Sequence, residues 1–303
     1  MNSTEMAGII VPVITPVDDQ DRVDEAAFRK QLRRLITAGV HGVFVGGSAG
    51  EGPLLTFQEW ERMATIGFEE CYGKIHLLGG TMGTSAKRII GRIHVLAQIG
   101  YQNFVVAPTF YITANLPSEH LRLFGECKEH SAGMSMIAYN IPSTTGSMIQ
   151  CDVMVEMVRR GWISYCKDSS ENMDYFHRLI SEAAPLGLRV FLGTERKAFE
   201  ALQTGAVGLV PTCANFEPST FLSAYAARGN KEELARLQVR ITELVENLLL
   251  APRLWLAGMK YALSTIGVGS GRPVSPLEPL NDEERQRIDA FLKGTPHSAS
   301  TGR

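Results

Sequence analysis

The sequence predicts a single closed barrel of eight parallel strands and eight surrounding helices, a (β/α)8 barrel, with a helical extension at its C-terminal end. Short apolar runs alternate with longer amphipathic stretches along nearly all of the 303 residues. The apolar runs are continuous in Val, Ile, Leu and Phe, as strands buried on both faces should be. The strand–helix unit occurs eight times at intervals of roughly 30 residues, which is typical of a closed parallel barrel.

The eight predicted strands follow one another in the order of the repeats. They are GIIVPVIT (8–15), GVFVGG (42–47), IHLLGGT (75–81), NFVVAP (103–108), SMIAYN (135–140), ISYCKD (163–168), RVFLGT (189–194) and VGLVPT (207–212). Helical periodicity separates them at 25–38, 57–71, 87–99, 119–130, 152–160, 174–184, 196–204 and 218–228. A doubly wound open sheet is the alternative architecture, because a strand count from sequence can err by about one or two.

Three regions are predicted along the chain. Residues 1–228 form the catalytic barrel, and residues 229–294 form a C-terminal helical extension with helices at 231–250, 253–266 and 282–293. Residues 295–303 are polar and rich in Ser and Gly, and we expect this tail to be disordered.

Composition narrows the possible partners and the compartment. The formal net charge of −2 at pH 7 gives no reason to expect nucleic acid or an anionic membrane as a partner. No apolar run approaches the roughly 20 residues that cross a bilayer, and the first ten residues lack the basic start and cleavage-type sequence of a secretion signal. The five cysteines include no C-x-x-C pair and are expected to be reduced thiols. These features predict a cytoplasmic protein.

Active sites of such barrels are built at the carboxyl ends of the strands. We therefore expect the polar residues that end the predicted strands to converge on one mouth. They are Thr15, Ser48, Thr81, Tyr139, Lys167, Glu195 and Thr212.

Lys167 ends the sixth predicted strand, where burial would favour the neutral amine that can attack a carbonyl and form an imine. The alternative is that it merely pairs with Asp168 or Glu171. Tyr139 ends the fifth strand and should lie beside Lys167 at the same depth, where a phenol can relay protons. Taken alone, this tyrosine could equally be a residue at the edge of the core.

The run GGSAGEG (46–52) follows the second strand, and its small residues let backbone N–H groups point at an anion such as a carboxylate. A plain tight turn is the alternative. The run lacks the spacing of a P-loop or of a dinucleotide-binding loop. The seven histidines form no H-x-x-x-H pair, and no G-x-S-x-G elbow occurs, so neither a metal site nor a serine hydrolase is expected.

Several short motifs give a family resemblance over nearly the whole chain. They are TP (15–16), GSAGEG (47–52), YNIPSTTG (139–146), KDSS (167–170), GTE (193–195), CAN (213–215), MKYAL (259–263) and RPVSPL (272–277). In order and spacing they resemble the N-acetylneuraminate lyase/dihydrodipicolinate synthase family of class I, Schiff-base-forming aldolases.

The resemblance implies a role for individual residues. Lys167 would be the Schiff-base lysine and Tyr139 the proton-relaying phenol, hydrogen-bonded to Ser48. Ser48 and Ala49 would hold the carboxylate of a 2-oxo acid such as pyruvate, and Val210 would line the pocket. No cofactor or metal is implied. The second substrate or product would be an aldehyde, and the protein would be a homo-oligomer, a dimer or a tetramer.

Departures from the family pattern bear on the substrate. Ala49 stands where a hydroxyl residue is common. Thr144 stands where the dihydrodipicolinate synthases carry an arginine for the carboxylate of their aldehyde substrate. The tyrosine that many members donate across a subunit interface corresponds to Phe110 or to Tyr111. Thr144 and Glu195 suit a polyhydroxylated chain better than a second carboxylate.

Three functions remain open from the sequence. The first is an aldolase that cleaves a 2-keto-3-deoxy sugar acid to pyruvate and an aldehyde. The second keeps the imine but acts as a dihydrodipicolinate synthase or as a 2-keto-3-deoxy acid dehydratase. The third, from a different class, is a non-catalytic 2-oxo-acid-binding protein.

Overall fold

The centre of the molecule is a closed barrel of eight parallel strands, seen in a computed structural model that describes residues 5–249 and 255–294. The strands are β1 Gly8–Pro12, β2 Gly42–Val45, β3 His76–Gly80, β4 Asn103–Val106, β5 Ser135–Asn140, β6 Ile163–Asp168, β7 Arg189–Leu192 and β8 Gly208–Leu209. Neighbours pair in chain order, and β8 pairs with β1 through Gly8↔Gly208 and Ile9↔Leu209. The predicted barrel is therefore confirmed, and the open doubly wound sheet is wrong.

Most strands are shorter than the apolar runs that predict them. β5 and β6 have the predicted bounds, whereas β8 keeps only Gly208–Leu209 of the run 207–212. The residues just beyond the shortened strands still bond to neighbouring strands at single points, as Val13 N does to the Phe44 carbonyl at 3.0 Å and Val210 N does to the Leu192 carbonyl at 2.8 Å. Apolar character therefore continues beyond the hydrogen-bonded strand, since these loop segments are buried as well.

The helices surround the barrel. They are α1 Glu25–Ala38, α2 Phe57–Cys71, α3 Ala86–Ile99, α4 Pro117–Glu129, α5 Pro142–Thr145, α6 Cys151–Arg159, α7 Met173–Arg178, α8 Ala198–Thr204, α9 Pro218–Ala226, α10 Lys231–Leu248, α11 Trp255–Thr265 and α12 Asp282–Lys293. The sequence did not predict α5, a single turn that begins with proline. The predicted helix at 174–184 is wrong in detail: α7 is followed by a π-turn, Leu179–Ala183, and a 3₁₀ turn that contains Pro185, which has no N–H to continue an α-helix.

Two apolar layers hold the barrel together. One lies between the sheet and the helices. The other fills the barrel interior and includes Ile10, Phe44, Leu78, Val105, Ile137, Tyr139, Phe191 and Val210. Bulky residues from successive strands fill the interior as in other barrels of this type, so it is a packed core with its chemistry at one end.

Helices α10, α11 and α12 follow the barrel, and α10 packs against α8, α9, α11 and α12. Leu234, Leu237, Ile241 and Leu244 of α10 share one apolar cluster with the outer face of the barrel sheet. The division of the chain at residues 228 and 229 stays a prediction. The predicted disordered tail (295–303), residue 250 and residues 253–254 lie outside the described residues. None of the described helices has the length and apolar character needed to cross a membrane.

Barrel closure gives a test of the fold. A Cβ at Gly208 would overlap the Gly8 carbonyl and lie 2.7 Å from Gly8 N and from Phe191 Cε1. We expect Gly208→Ala to lower the free energy of unfolding by at least about 1–3 kcal/mol, the usual cost of overpacking a core. Chemical denaturation would measure it.

Gly91 of α3 is the matched control, because a Cβ there would meet no atom within 4 Å. Gly91→Ala should raise the free energy of unfolding by about 0.5–1 kcal/mol through helix propensity. Equal effects of the two substitutions would contradict the tight closure between β8 and β1.

Candidate active site

Lys167 and Tyr139 lie side by side at the carboxyl ends of β6 and β5. They are direct partners in the ladder between these strands, so the prediction that they share one depth is confirmed. Lys167 Nζ donates a hydrogen bond to Tyr139 Oη at 3.1 Å. The two residues are only 7% and 2% exposed, so the amine and the phenol meet inside the barrel.

The surroundings of the Lys167 amine are mostly apolar. Nζ lies 4.2 Å from the Tyr139 ring centroid and 5.4 Å from that of Phe44. A small cavity in the barrel interior touches Lys167 and is otherwise lined by Met6, Ile10, Phe44, Leu78, Val105, Ile137, Phe191 and Val210. Phe44 is a neighbour that sequence reasoning missed. Phe44 lies on β2 and points into the barrel interior. A bulky apolar residue within the second predicted strand was the feature of the sequence that could have identified it.

The alternative reading of Lys167, as a partner of an adjacent carboxylate, is not what the structure shows. Within residues 5–249 and 255–294, no ion pair joins Lys167 to Asp168 or Glu171. Asp168 instead accepts hydrogen bonds from Asn140 Nδ2 at 2.9 Å and from the Ser170 hydroxyl at 3.0 Å. Successive residues of a strand point to opposite faces, which separates the two neighbouring side chains.

Asn140 and Asp168 form a second register pair directly beside the first. The Asn140 carboxamide also accepts the N–H of Ile149 at 3.0 Å, which ties the loop after β5 to the same pair. Burial raises the pKa of the Asp168 carboxyl to about 6, against the opposing effect of the bonds from Asn140 and Ser170. Sequence reasoning missed this pair. It braces the strand ends that carry Tyr139 and Lys167.

Gly193, just after β7, provides the room that the lysine side chain occupies. A Cβ at this position would lie 2.9 Å from Lys167 Cε and still closer to Ser169 Oγ. The Gly193 N–H donates to the Asp168 carbonyl at 2.7 Å, so the backbone passes close to β6. A larger residue here would displace the amine.

The loop Gly46–Gly52 forms a tight turn at the end of β2. Glu51 N donates to the Ser48 carbonyl at 3.1 Å, and Gly52 N donates to the Gly47 carbonyl at 3.2 Å. Among the described residues, the backbone N–H groups of Ser48 and Ala49 have no hydrogen-bond acceptor. They are available for an anion. The expected bond between Ser48 and Tyr139 is not formed in this structure, in which Tyr139 Oη bonds with Lys167.

The other predicted mouth residues have different surroundings. Glu195 is buried, and its Oε1 accepts the N–H of Cys213 at 2.7 Å; burial raises the pKa of this carboxyl. Glu195 thus braces the loop after β8. Thr144 lies exposed on α5, and Val210 lines the interior cavity.

Two of the expected mouth residues have structural contacts instead. The Thr15 hydroxyl donates to Met63 Sδ of α2 at 3.3 Å, and the Thr81 hydroxyl donates to the Val105 carbonyl at 2.9 Å. Both threonines are fully buried. These two hydroxyls therefore already have protein partners, and the expectation that all seven polar strand ends converge on the mouth stays a prediction.

The fold and this geometry define a class of protein: a parallel barrel whose mouth holds an amine and a phenol within hydrogen-bond distance, as imine-forming lyases require. A model of the dihydrodipicolinate synthetase family matches residues 5–295. The chain belongs to this family, and it is therefore a class I, pyruvate-dependent lyase.

Individual relatives are similar over most of their length. An uncharacterised DapA-like lyase of Halobacterium salinarum is 28% identical over 94% of this chain and 92% of its own. A 4-hydroxy-tetrahydrodipicolinate synthase of Methanothermobacter thermautotrophicus is 28% identical over 88% of this chain and 95% of its own.

Solved structures have the same fold. Dihydrodipicolinate synthase of Bacteroides thetaiotaomicron superimposes with a TM-score of 0.91 at 26% identity, over 97% of this chain and 100% of that one. YagE of E. coli K12, solved in complex with pyruvate, superimposes with a TM-score of 0.89 at 23% identity, over 96% and 98% of the two chains.

The buried Asp168 carboxyl predicts a pH dependence of stability. Its folded pKa lies above its unfolded value, so the unfolded chain ionises first as the pH rises. Its contribution to stability is therefore lost between about pH 4 and pH 6, by about 3 kcal/mol in total. We expect the free energy of unfolding of wild type, relative to Asp168→Asn, to fall across this window in pH-dependent denaturation.

The exposed Asp174 on α7 offers a matched control. The free energy of unfolding of wild type, relative to Asp174→Asn, should change much less across the same window, because this variant keeps the buried Asp168 carboxyl. A wild-type advantage over Asp168→Asn that rose between pH 4 and 6 would reverse the sign and refute the assigned cause.

Proposed function

We propose that this protein cleaves a 2-keto-3-deoxy sugar acid to pyruvate and an aldehyde through an imine on Lys167. The observation that carries the proposal is the Lys167–Tyr139 contact of 3.1 Å inside the barrel mouth. A primary amine in apolar surroundings can act as a nucleophile once it is neutral. A phenol at hydrogen-bond distance can transfer the protons that the reaction moves.

The reaction follows from these two groups. The Lys167 amine adds to the C2 carbonyl to give a carbinolamine. Tyr139 delivers a proton to the carbinolamine hydroxyl, which leaves as water, and the protonated imine remains. The C4 hydroxyl then loses its proton, the C3–C4 bond breaks and the electron pair moves into the iminium to give an enamine. Protonation at C3 and hydrolysis release pyruvate and restore the amine.

The loop after β2 supports the binding of the acid group. The N–H groups of Ser48 and Ala49 are unpaired among the described residues and so are available to a carboxylate. Hydrogen bonds to a charged acceptor are about twice as strong as neutral ones. The methyl of Ala49 offers no hydroxyl, so the backbone would provide the bonds at that residue.

Three polar side chains are candidates for binding the hydroxyl groups of the sugar chain. Thr144 is exposed on α5, and the Thr194 hydroxyl is buried without a hydrogen-bond partner among the described residues. Both hydroxyls are suited to a hydrogen bond with a sugar hydroxyl. The buried Glu195 is the third candidate, and its Oε1 also accepts the Cys213 N–H.

Dihydrodipicolinate synthesis is the second candidate, because a relative at 28% identity bears the name of 4-hydroxy-tetrahydrodipicolinate synthase. The aldehyde substrate of that reaction carries a carboxylate, for which arginine is the suited partner. Thr144 offers no charge. Arg196, the residue that could compensate, is half exposed and forms an ion pair with Glu246 at 3.3 Å.

The segment after β4 supports the expectation of a homo-oligomer. Tyr111 is 90% exposed, Ile112 79% and Leu116 59%, and an apolar patch of this kind suits a protein contact. Phe110 packs against the barrel interior of its own chain. This contrast supports Tyr111, rather than Phe110, as the residue offered to a neighbouring copy.

The imine gives a direct test. Pyruvate and borohydride together should add an irreversible mass to Lys167, in the presence of a chelator, as measured by peptide mass spectrometry. Lys167→Arg should not be labelled, because a guanidinium stays charged and forms no imine. Tyr139→Phe keeps the amine and should still be labelled. Wild type that cleaved substrate without becoming labelled would refute the imine.

The substrate preference gives a second test. We expect wild type to cleave 2-keto-3-deoxy sugar acids and to condense pyruvate with aspartate semialdehyde poorly. Thr144→Arg should improve kcat/KM for the semialdehyde by about 10–150-fold, the range for gaining one charge-assisted pair. Steady-state kinetics on both substrate types would measure this. Efficient semialdehyde condensation by wild type would overturn the sugar-acid assignment in favour of the synthase.

A further inference from the structure

Glu51 and Lys260 form an ion pair that is buried almost completely. Glu51 is 1% exposed and Lys260 is 3% exposed. Lys260 Nζ pairs with Glu51 Oε2, and Glu51 Oε1 accepts the backbone N–H of Val274 at 2.8 Å. Burying two charges is costly, and apolar residues of similar volume often stabilise a fold equally well. A contribution to stability therefore does not by itself explain why the protein has a buried ion pair at this position.

The pair joins two regions that are far apart in the sequence. Glu51 belongs to the loop Gly46–Gly52, whereas Lys260 lies on α11 and Val274 lies beyond it. Among the residues that the structure describes, the groups bonded to the Glu51 carboxylate, Lys260 Nζ and the Val274 N–H, both belong to the C-terminal extension. The extension thus contacts the loop that ends β2 from outside the barrel.

The backbone of Glu51 is held in an unusual conformation. Its φ is +55°, in the left-handed region that residues other than glycine rarely adopt. Such a conformation persists only where the surroundings fix it, and it is common at functional sites. Glu51 N donates to the Ser48 carbonyl at 3.1 Å, and the unpaired N–H groups of Ser48 and Ala49 lie within the same turn.

We propose that Glu51 and Lys260 are positioning residues, which hold the backbone N–H groups of Ser48 and Ala49 in the orientation that binds the carboxylate of the 2-oxo acid. Neither side chain touches the substrate; both act through the loop. This inference rests on the proposed function, since it assigns a task to the same site. It makes the C-terminal extension a part of substrate binding.

The test separates carboxylate binding from imine formation. Wild type and variants are treated with borohydride and either pyruvate or acetone, a ketone without a carboxylate, and labelling of Lys167 is followed by mass spectrometry. In Lys260→Met the pyruvate concentration for half-maximal labelling should rise about 10- to 150-fold, the range for losing a charge-assisted hydrogen bond. Acetone labelling should change by less than about twofold in the same variant, because acetone has no carboxylate for the loop to bind.

Two further variants complete the design. The double variant E51Q/K260M buries no uncompensated charge, keeps an acceptor for Val274 and should show the same selective loss for pyruvate. It decides the question if Lys260→Met alone fails to fold. Arg240→Met removes another ion pair of the extension, with Glu217 at 2.7 Å and away from the loop, and should leave both half-maximal concentrations unchanged.

The outcomes are distinct. A selective loss with pyruvate in the double variant supports the positioning role. An equal loss with both ketones, or an unchanged half-maximal pyruvate concentration, overturns it. Wild type that is not labelled by pyruvate at all refutes the proposed imine instead.

Discussion

The register between β5 and β6 is the constraint on which the rest of the site depends. It sets Tyr139 opposite Lys167 on the inner face and Asn140 opposite Asp168 on the other. A shift of one residue in either strand would turn each side chain to the wrong face of the sheet. The hydrogen bonds of Asn140 with Asp168 and with the Ile149 N–H resist such a shift. The hydrogen bonds of Asn140 on the opposite face of the sheet thus keep the amine and the phenol next to each other.

The C-terminal extension contributes to the mouth as well as covering the barrel. Gln238 of α10 donates to the Glu195 carbonyl at 3.2 Å and accepts the Phe199 N–H at 2.8 Å, which braces the loop after β7. Lys260 of α11 reaches Glu51 in the loop after β2. Two loops on different strands are therefore fixed by helices that follow the barrel in sequence. Loops that carry functional groups need such a rigid support, because they lack a ladder of their own.

Much of the fold and the centre of the site could be predicted from the sequence. Apolar runs and amphipathic stretches locate strands and helices, since a parallel barrel buries its strands on both faces. Lys167 and Tyr139 stood out as polar residues at the ends of such runs. Thr15 and Thr81 look the same in the sequence, yet one hydroxyl bonds to Met63 and the other to a strand carbonyl. A continuous apolar run that ends in a threonine does not indicate which partner the threonine hydroxyl will bond.

By itself, the sequence determined the barrel, its eight units and the meeting of Lys167 with Tyr139, because local periodicity and strand order decide these. Only the tertiary structure decided which groups surround that pair. The pairing of Glu51 with Lys260, the place of Gly193 against the lysine side chain and the enclosure of Glu195 by the loop after β8 join residues distant in the chain. Such contacts depend on how packed elements approach one another in space, and no local pattern of residue types encodes that distance.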